Sequence, residues 1–272
     1  MKKYFLLILL FAIHTWAFAQ QPSIEKIWET DTTIAVPESV LPHKGKLYIS
    51  LIDGKGWDDD KKGGIGIMSE DGKVFNNEFV KGLSAPKGMA IYKNKLYVAD
   101  IKQLVVIKLN NGKVLNRITF PDAEALNDLT VDSKGVLHVS DSRKGNIWAI
   151  KKHKPEVLLS DINNPNGIKV INDELYYAEA GLLMKADRQK KITKIGEIPH
   201  AIDGVEPVGN NDFLLTSWPG YFYYLYADGT SVLLSDTHQQ GINAADLGFD
   251  SKEKIIYMPT FNAKKIVAYK LK

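Results

Sequence analysis

The chain has 272 residues, of which 25% are charged and 44% hydrophobic, and it contains no cysteine. This composition is typical of a globular protein and excludes a collagen-like chain, a disordered chain and a disulfide-rich scaffold. The formal net charge is +3, and it falls to +1 without the first 19 residues, which hold two lysines and no acid. A near-neutral chain argues against nucleic acid or an anionic membrane as the main partner.

Residues 1–19 have the three parts of an export signal. Two lysines precede an apolar run from Tyr4 to Ile13, and Ala17-Phe18-Ala19 has the small-x-small pattern that signal peptidase cleaves. The run is too short to span a membrane, which needs about 20 apolar residues. We therefore predict cleavage before Gln20, a periplasmic or secreted mature chain, and no membrane attachment once the signal is removed.

The mature chain begins with a lone strand-like segment, Ile24 to Thr33, and then repeats one pattern six times. Each repeat has a polar or charged residue, here called the anchor, then an alternating apolar stretch, a turn and a second strand. Successive anchors lie 49, 40, 39, 37 and 42 residues apart. The repeats are Glu38 to Ser50, Lys87 to Asp100, Asn127 to Asp141, Asn166 to Glu179, Asp203 to Ser217 and Ala245 to Thr260.

The repeats predict an all-β protein. Their turns are rich in Gly, Asn, Asp and Lys, and further strand-like sequence follows them, as in Tyr221 to Tyr226. A four-stranded sheet cannot bury both faces alone, and radial repetition covers them. We predict one domain over residues 20–272, a six-bladed β-propeller of four-stranded blades closed by Ile24 to Thr33. A pair of β-sandwiches is the alternative.

In a propeller the innermost strands line the central channel, so the six anchors form a ring. Its members are Glu38, Lys87, Asn127, Asn166, Asp203 and Ala245. Two carboxylates and two carboxamides offer only oxygen ligands, which suit Ca²⁺ better than zinc or copper. The alternative is structural, since Asn and Asp also form turns before strands, and two of these anchors directly precede glycine.

Four short motifs resemble the senescence marker protein/gluconolactonase family of six-bladed propellers, which includes regucalcin. They are Pro37-Glu38-Ser39, Asn127-Asp128, Pro165-Asn166-Gly167 and Asp203-Gly204. The resemblance extends over the mature chain. It implies a divalent metal, Ca²⁺ or another ion such as Zn²⁺ or Mn²⁺, held by Glu38, Asn166 and Asp203, with Asn127 as a ligand or substrate contact. It also implies that Asp203 acts as the catalytic base or nucleophile in opening a lactone or related ester.

Other positions depart from the family or flank the ring. Lys87 occupies the second ring position, where it either captures a substrate carboxylate or carries its charge to solvent. Ala125 stands where family members that hydrolyse sugar lactones use an arginine, which argues against a sugar lactone. His200 lies shortly before the fifth anchor, and Trp218 ends the second strand of the fifth repeat. Both are candidate substrate contacts, with a surface or loop position the alternative for His200 and packing between blades the alternative for Trp218.

The sequence thus predicts an exported, metal-dependent hydrolase with a small-molecule substrate, and a monomer by default. The alternative function is a non-catalytic propeller that binds a small ligand or a protein partner. Asp100 and Asp141 recur at one repeat position, which predicts a capping role in turns rather than chemistry.

Overall fold

The computed structural model describes residues 21–31 and 34–272, and the predicted export signal lies outside them, so cleavage and localisation stay predictions. Strands in the first half form three four-stranded antiparallel blades. Blade 1 contains β2 (Pro37–His43), β3 (Lys46–Leu51), β4 (Gly63–Ser69) and β5 (Phe75–Leu83). Blade 2 contains β6 (Pro86–Tyr92), β7 (Lys95–Asp100), β8 (Gln103–Lys108) and β9 (Val114–Thr119). Blade 3 contains β10 (Leu126–Val131), β11 (Leu137–Asp141), β12 (Asn146–Lys151) and β13 (Lys154–Leu159).

Three more blades complete the ring, the last one from both ends of the chain. Blade 4 contains β14 (Pro165–Ile171), β15 (Glu174–Glu179), β16 (Leu182–Ala186) and β17 (Ile192–Glu197). Blade 5 contains β18 (Val205–Gly209), β19 (Asp212–Ser217), β20 (Tyr221–Leu225) and β21 (Ser231–Asp236). Blade 6 contains β22 (Gly248–Asp250), β23 (Ile255–Pro259), β24 (Ile266–Leu271) and, outermost, β1 (Ile24–Glu29). The predicted six-bladed propeller is confirmed, and the β-sandwich alternative is wrong.

Helical structure in the described residues is confined to two single 3₁₀ turns, His238–Gln240 and Phe261–Ala263. No helix among them is long and apolar enough to cross a membrane. Several predicted hairpin turns have positive φ at both central residues, as at Lys93-Asn94, Asn172-Asp173 and Asn210-Asn211. Such turns match the right-handed twist of the flanking strands.

The hydrophobic core consists of six clusters, one between each pair of neighbouring blades. In β7, Leu96 and Val98 pack toward blade 1, whereas Tyr97 and Ala99 pack toward blade 3. Alternate residues of a strand point to opposite faces, so a strand between two blades must be apolar on both faces. This explains the continuous apolar runs in the second strand of each repeat.

Each innermost strand begins at one face of the ring, called here the upper face. Because the blades are antiparallel, the same face holds the connections between second and third strands and those between blades. The predicted closure is confirmed, since β1 pairs antiparallel with β24 from Ile24 with Leu271 to Glu29 with Val267, with one register shift between Lys26 and Trp28. The ring of anchors therefore lies where the central channel meets the upper face.

Candidate functional site at the upper end of the channel

The structure places the polar anchors at the upper ends of successive innermost strands. Glu38, Lys87, Asn127 and Asn166 lie within β2, β6, β10 and β14, and Asp203 lies just before β18. In these first four blades the pairing with the second strand shifts at the anchor. A β-bulge bends the strand and re-aims its side chains, so the shifts allow the anchors to face the channel.

Contacts between blades bring the anchors together. The Lys87 Nζ atom of blade 2 lies 3.6 Å from Glu38 Oε1 of blade 1. Asn166 Nδ2 of blade 4 donates a hydrogen bond to Asp203 Oδ1 of blade 5, at 2.7 Å. Asn127 Nδ2 donates to Ser142 Oγ at 3.0 Å within blade 3. Of these five anchors, four are buried and Asn166 is half-buried. The sixth anchor, Ala245, is fully buried and offers no polar side chain.

A second polar layer follows directly below the anchors. Ser39, Asp128 and Asp246 come one residue after their anchors and are buried. Ser39 Oγ donates to Asp246 Oδ2 at 2.6 Å, and Asp128 Oδ2 accepts the backbone N–H of Ile168 at 2.8 Å. These bonds join blade 1 to blade 6 and blade 3 to blade 4. The layer therefore ties innermost strands together and lines the channel with acids.

Glycines after three other anchors make room for this layer. A Cβ atom added at Gly88 would lie 2.3 Å from Asp128 Oδ1, and one at Gly204 would lie 2.9 Å from Asp246 Oδ1. A Cβ at Gly167 would lie 2.5 Å from the backbone oxygen of Asp203. The interpretation of Asn166-Gly167 as a turn is wrong, because both residues lie inside β14. The glycine serves close strand packing instead.

Deeper in the channel a lysine balances part of this negative charge. Lys169 Nζ of β14 lies 3.0 Å from Glu206 Oε1 of β18. Burial alone would lower the pKa of Lys169, but the carboxylates of Glu206, Asp128 and Asp246 raise it far above its usual range. Lys169 is therefore held as a cation, whereas burial raises the pKa values of Glu206, Asp128 and Asp246.

The two acidic anchors are less acidic than free carboxyl groups. Burial raises the pKa of Glu38 to about 8, with Lys87 opposing the shift and Asp203 and Asp128 adding to it. Burial also raises the pKa of Asp203 to about 6, against the opposing effects of Lys87 and the Asn166 hydrogen bond. Near neutral pH Asp203 is thus mostly ionised and close to the pKa that suits a general base.

The acidic and amide anchors offer oxygen atoms, the ligand type that a hard divalent ion prefers. Within the described part of the chain, Glu38 Oε2 is buried and accepts no hydrogen bond. The amide nitrogens of Asn127 and Asn166 are both engaged as donors, which directs their carbonyl oxygens away from those contacts. The described residues include no group of three or more His, Cys, Asp or Glu side chains placed to hold a metal. A metal at this ring would therefore depend on the two amide oxygens.

Lys87 is enclosed rather than exposed. Its side chain is 4% accessible, and its Nζ atom lies 4.2 Å from the centroid of the Trp57 ring. The expectation that its stem carries the charge to solvent is therefore wrong, because the indole and Glu38 hold the ammonium inside. Its capture of a substrate carboxylate stays a prediction.

The predicted substrate contacts His200 and Trp218 both lie on the upper face. His200 Nδ1 is 2.7 Å from the Tyr223 hydroxyl, and its ring stacks on Tyr221 with 3.6 Å between centroids. Trp218 is 44% exposed and meets Phe261 of blade 6 edge to face at 5.6 Å. Trp218 therefore packs between blades 5 and 6 and keeps part of its surface exposed, and its contact with a substrate stays a prediction.

Asp100 and Asp141 have the predicted capping role. Asp100 accepts backbone N–H groups of Ser84 and Ala85. Asp141 accepts those of Glu124 and Ala125. Each aspartate thus fixes the loop that leads into the innermost strand of its own blade, and so holds the anchor that follows.

Sequence reasoning missed several residues of the channel and its mouth. The signal for the second layer is the residue after each anchor, which is acidic in Asn127-Asp128 and Ala245-Asp246. Lys169 and Glu206 each lie three residues beyond an anchor, at matching positions of neighbouring repeats. Trp57 and Arg143 lie in loops on the upper face, and no spacing in the sequence points to them.

Known proteins resemble this chain in fold only. No protein-family model and no curated protein sequence matches it. The fold is similar to that of virginiamycin B lyase from Staphylococcus aureus, solved as an inactive variant with quinupristin, at 16% identity over 93% of this chain and all of that chain, with a TM-score of 0.67. It is similar to a candidate gluconolactonase at 14% identity over 93% of both chains, with a TM-score of 0.69.

A structure of the nidogen/laminin complex also matches, at 14% identity over 77% of this chain and 90% of that chain, with a TM-score of 0.60. These neighbours share the six-bladed propeller fold, but they do not confirm membership of the senescence marker protein family.

Proposed function

We propose that this propeller hydrolyses a lactone or related ester at the upper end of its channel, assisted by a divalent ion. The observation that carries the proposal is the buried Glu38 Oε2, which accepts no hydrogen bond from any described residue, in a ring whose other members include two carboxamides and a second carboxylate. The presence of lyase and gluconolactonase propellers among its structural neighbours supports an enzyme of this general type.

Glu38, Asn127, Asn166 and Asp203 would hold the ion through oxygen atoms, a ligand set that suits Ca²⁺ better than Zn²⁺ and that Mn²⁺ also accepts. When bound, such an ion polarises the substrate carbonyl and stabilises the negative charge that develops on its oxygen. The ammonium of Lys87 offsets the charge of Glu38 when that carboxyl group is ionised.

Asp203 is the proposed catalytic base. Its Oδ1 atom is fixed by Asn166. Burial raises the pKa of Asp203 to about 6 in the metal-free protein, and binding of a divalent ion would lower this basicity. The attacking water forms a bond to the carbonyl carbon and gives a proton to Asp203. The ring C–O bond then breaks, and the leaving oxygen takes that proton, which yields a carboxylic acid and an alcohol. His200 and Trp218 would contact the substrate at the rim.

The test is a panel of aliphatic, sugar and aryl lactones and aryl esters, assayed with Ca²⁺, Zn²⁺, Mn²⁺ or a chelator. Asp203→Asn and Glu38→Gln should each lower kcat/KM by about 100-fold or more, the scale of a lost general base or metal ligand. Glu156→Gln, an exposed acid of β13, serves as the control and should be unaffected.

Turnover that survives both site substitutions and the chelator would contradict the proposal. An absence of turnover for every substrate, with metal bound, would instead favour the alternative of a non-catalytic binding propeller.

A further inference from the structure

Arg143 reaches the channel mouth from blade 3. It lies in the connection between β11 and β12, on the upper face, directly after Ser142. The hydroxyl group of Ser142 accepts a hydrogen bond from Asn127 Nδ2 and donates one to the backbone oxygen of Pro165. The backbone of Arg143 therefore directly follows a residue that is hydrogen-bonded to the anchor Asn127.

The indole of Trp57 lies between Arg143 and the anchor Lys87. The guanidinium carbon of Arg143 lies 5.0 Å from the Trp57 ring centroid, and Lys87 Nζ lies 4.2 Å from the same centroid. Both distances are within the range of cation–π attraction. The loop that carries Trp57 is held in place by a hydrogen bond from Ser84 Oγ to Asp59 Oδ1.

The two cations on Trp57 differ in their partners. Lys87 is enclosed and paired with Glu38, whereas Arg143 is exposed. The chain has three arginines. Arg117 and Arg188 each lie within 4.0 Å of an aspartate, at 3.9 and 2.9 Å, but no ion pair to Arg143 occurs in the part of the chain that the structure describes. Arg143 thus keeps its planar set of donors available.

We propose that Arg143 and Trp57 form a carboxylate-binding subsite beside the ring, so that the substrate of the proposed hydrolase is an acidic lactone or ester. The guanidinium fork matches a carboxylate through two parallel hydrogen bonds, and the indole limits the conformations available to it. The claim that the bound carboxylate belongs to a substrate rests on the proposed function. Carboxylate binding by the subsite is a separate property that can be measured without turnover.

The binding experiment uses isothermal titration calorimetry with D-gluconate and with D-glucitol, a neutral polyol of equal chain length, without added metal. The wild-type protein should bind gluconate at least tenfold more tightly than glucitol, and this preference should weaken as salt is raised. Arg143→Gln should abolish the preference. Arg143→Lys should retain only part of it, because an ammonium cannot make the bidentate contact.

Arg188→Gln is the matched control, since Arg188 lies in the connection between β16 and β17 on the opposite face, and it should bind both probes as the wild type does. Equal binding of the two probes by the wild type, no binding of gluconate, or an unchanged preference in Arg143→Gln would overturn the proposal.

A kinetic experiment separates this proposal from the proposed function. For D-glucaro-1,4-lactone, which has a free carboxylate, Arg143→Gln should raise KM about tenfold. For neutral D-gulono-1,4-lactone it should leave KM unchanged. Hydrolysis of both lactones with identical KM values in wild type and variant overturns the subsite alone. Gluconate preference without hydrolysis of either lactone supports the subsite and counts against a sugar lactone as the substrate, whereas the proposed hydrolase is tested by the wider substrate panel.

Discussion

Lys87 bears directly on the proposed metal site, because its ammonium already lies 3.6 Å from Glu38 Oε1. A divalent ion bound by Glu38 would have to share this carboxylate with the ammonium. Two like charges about 4 Å apart repel by about 4 kcal/mol at an effective dielectric constant of about 20. The lysine therefore weakens metal binding relative to a ring without it.

Replacement of Lys87 by methionine should raise the affinity for Ca²⁺ by at least about tenfold, since it removes the repulsion and keeps a side chain of similar length. Calorimetric titration of the chelator-treated protein with Ca²⁺ measures this change. Lys93→Met, in the β6–β7 turn on the opposite face, is the control. Unchanged or weaker Ca²⁺ binding in Lys87→Met would show that the ion does not bind beside Glu38.

At the residue scale, the sequence predicted the anchors well but not the acids that follow them. The period near forty placed Glu38, Asn127 and Asp203 correctly at the channel. Simple strand alternation predicts that neighbours such as Asn127 and Asp128 point to opposite faces. The shift in pairing between Leu126 and Leu129 breaks that alternation, and a bulge of this kind depends on the neighbouring strand.

Among the elements, β1 completes blade 6 against β24. The indole of Trp28, on the inner side of β1, packs on Tyr257 with 6.0 Å between centroids. It also covers Gly72 of blade 1, where an added Cβ would lie 2.9 Å from the indole. One side chain thus links the closing strand to both blades beside it.

Trp28→Ala should lower the free energy of unfolding by about 2 kcal/mol, somewhat less than a fully buried tryptophan would cost, because the indole is only half-buried. Urea unfolding followed by circular dichroism measures the loss. The neighbouring Ile27 is 48% exposed, so Ile27→Ala should change stability by less than about 0.5 kcal/mol. Equal losses in the two variants would mean that the contact with Tyr257 and Gly72 contributes nothing to closure.

The strands were largely predictable because their signals are local. Turn pairs such as Asn172-Asp173 mark hairpins, and apolar runs mark strands with a blade on each side. The loops of the upper face were less predictable. The loop that carries Trp57 is held through Asp59, which accepts a hydrogen bond from Ser84 in the connection to blade 2, and its Gly56 lies near the Phe261 ring of blade 6. Loops on this face carry the proposed specificity, as in other folds where a rigid scaffold presents variable connections.

Among the described residues of the whole molecule, several acids line the channel, and Lys87 and Lys169 are the lysines that oppose their charge. Asp246 is one of these acids. Burial, assisted by Asp128, raises its pKa well above 3.8, and its Oδ1 atom accepts no hydrogen bond from any described residue. The folded state binds this proton more tightly than the unfolded chain does. Its contribution to stability is therefore greatest below about pH 4 and is lost as the pH rises through the folded-state pKa.

Asp246→Asn should therefore be more stable than the wild type at pH 8 by about 1 kcal/mol or more, and little different at pH 4. Ser39 can still donate to the amide oxygen of the variant. Urea unfolding at pH 4, 6 and 8 in the presence of chelator gives the comparison. Asp228→Asn is the control, because the hydrogen bonds of Thr230 lower the pKa of that exposed acid, so its loss should not stabilise the protein at pH 8. A difference between Asp246→Asn and wild type that does not vary with pH would contradict the prediction.

The pairing of β1 with β24 also determines the order in which the ring can be made. On the ribosome β1 is synthesised before the strands of blades 1 to 5, but its partner, Ile266–Leu271, is synthesised after them. Until then β1 has no place in a sheet, and the incomplete ring ends in open strand edges, which favour aggregation. A nascent chain stopped before residue 266 would lack the partner of β1, so closure of the ring must follow the synthesis of β24.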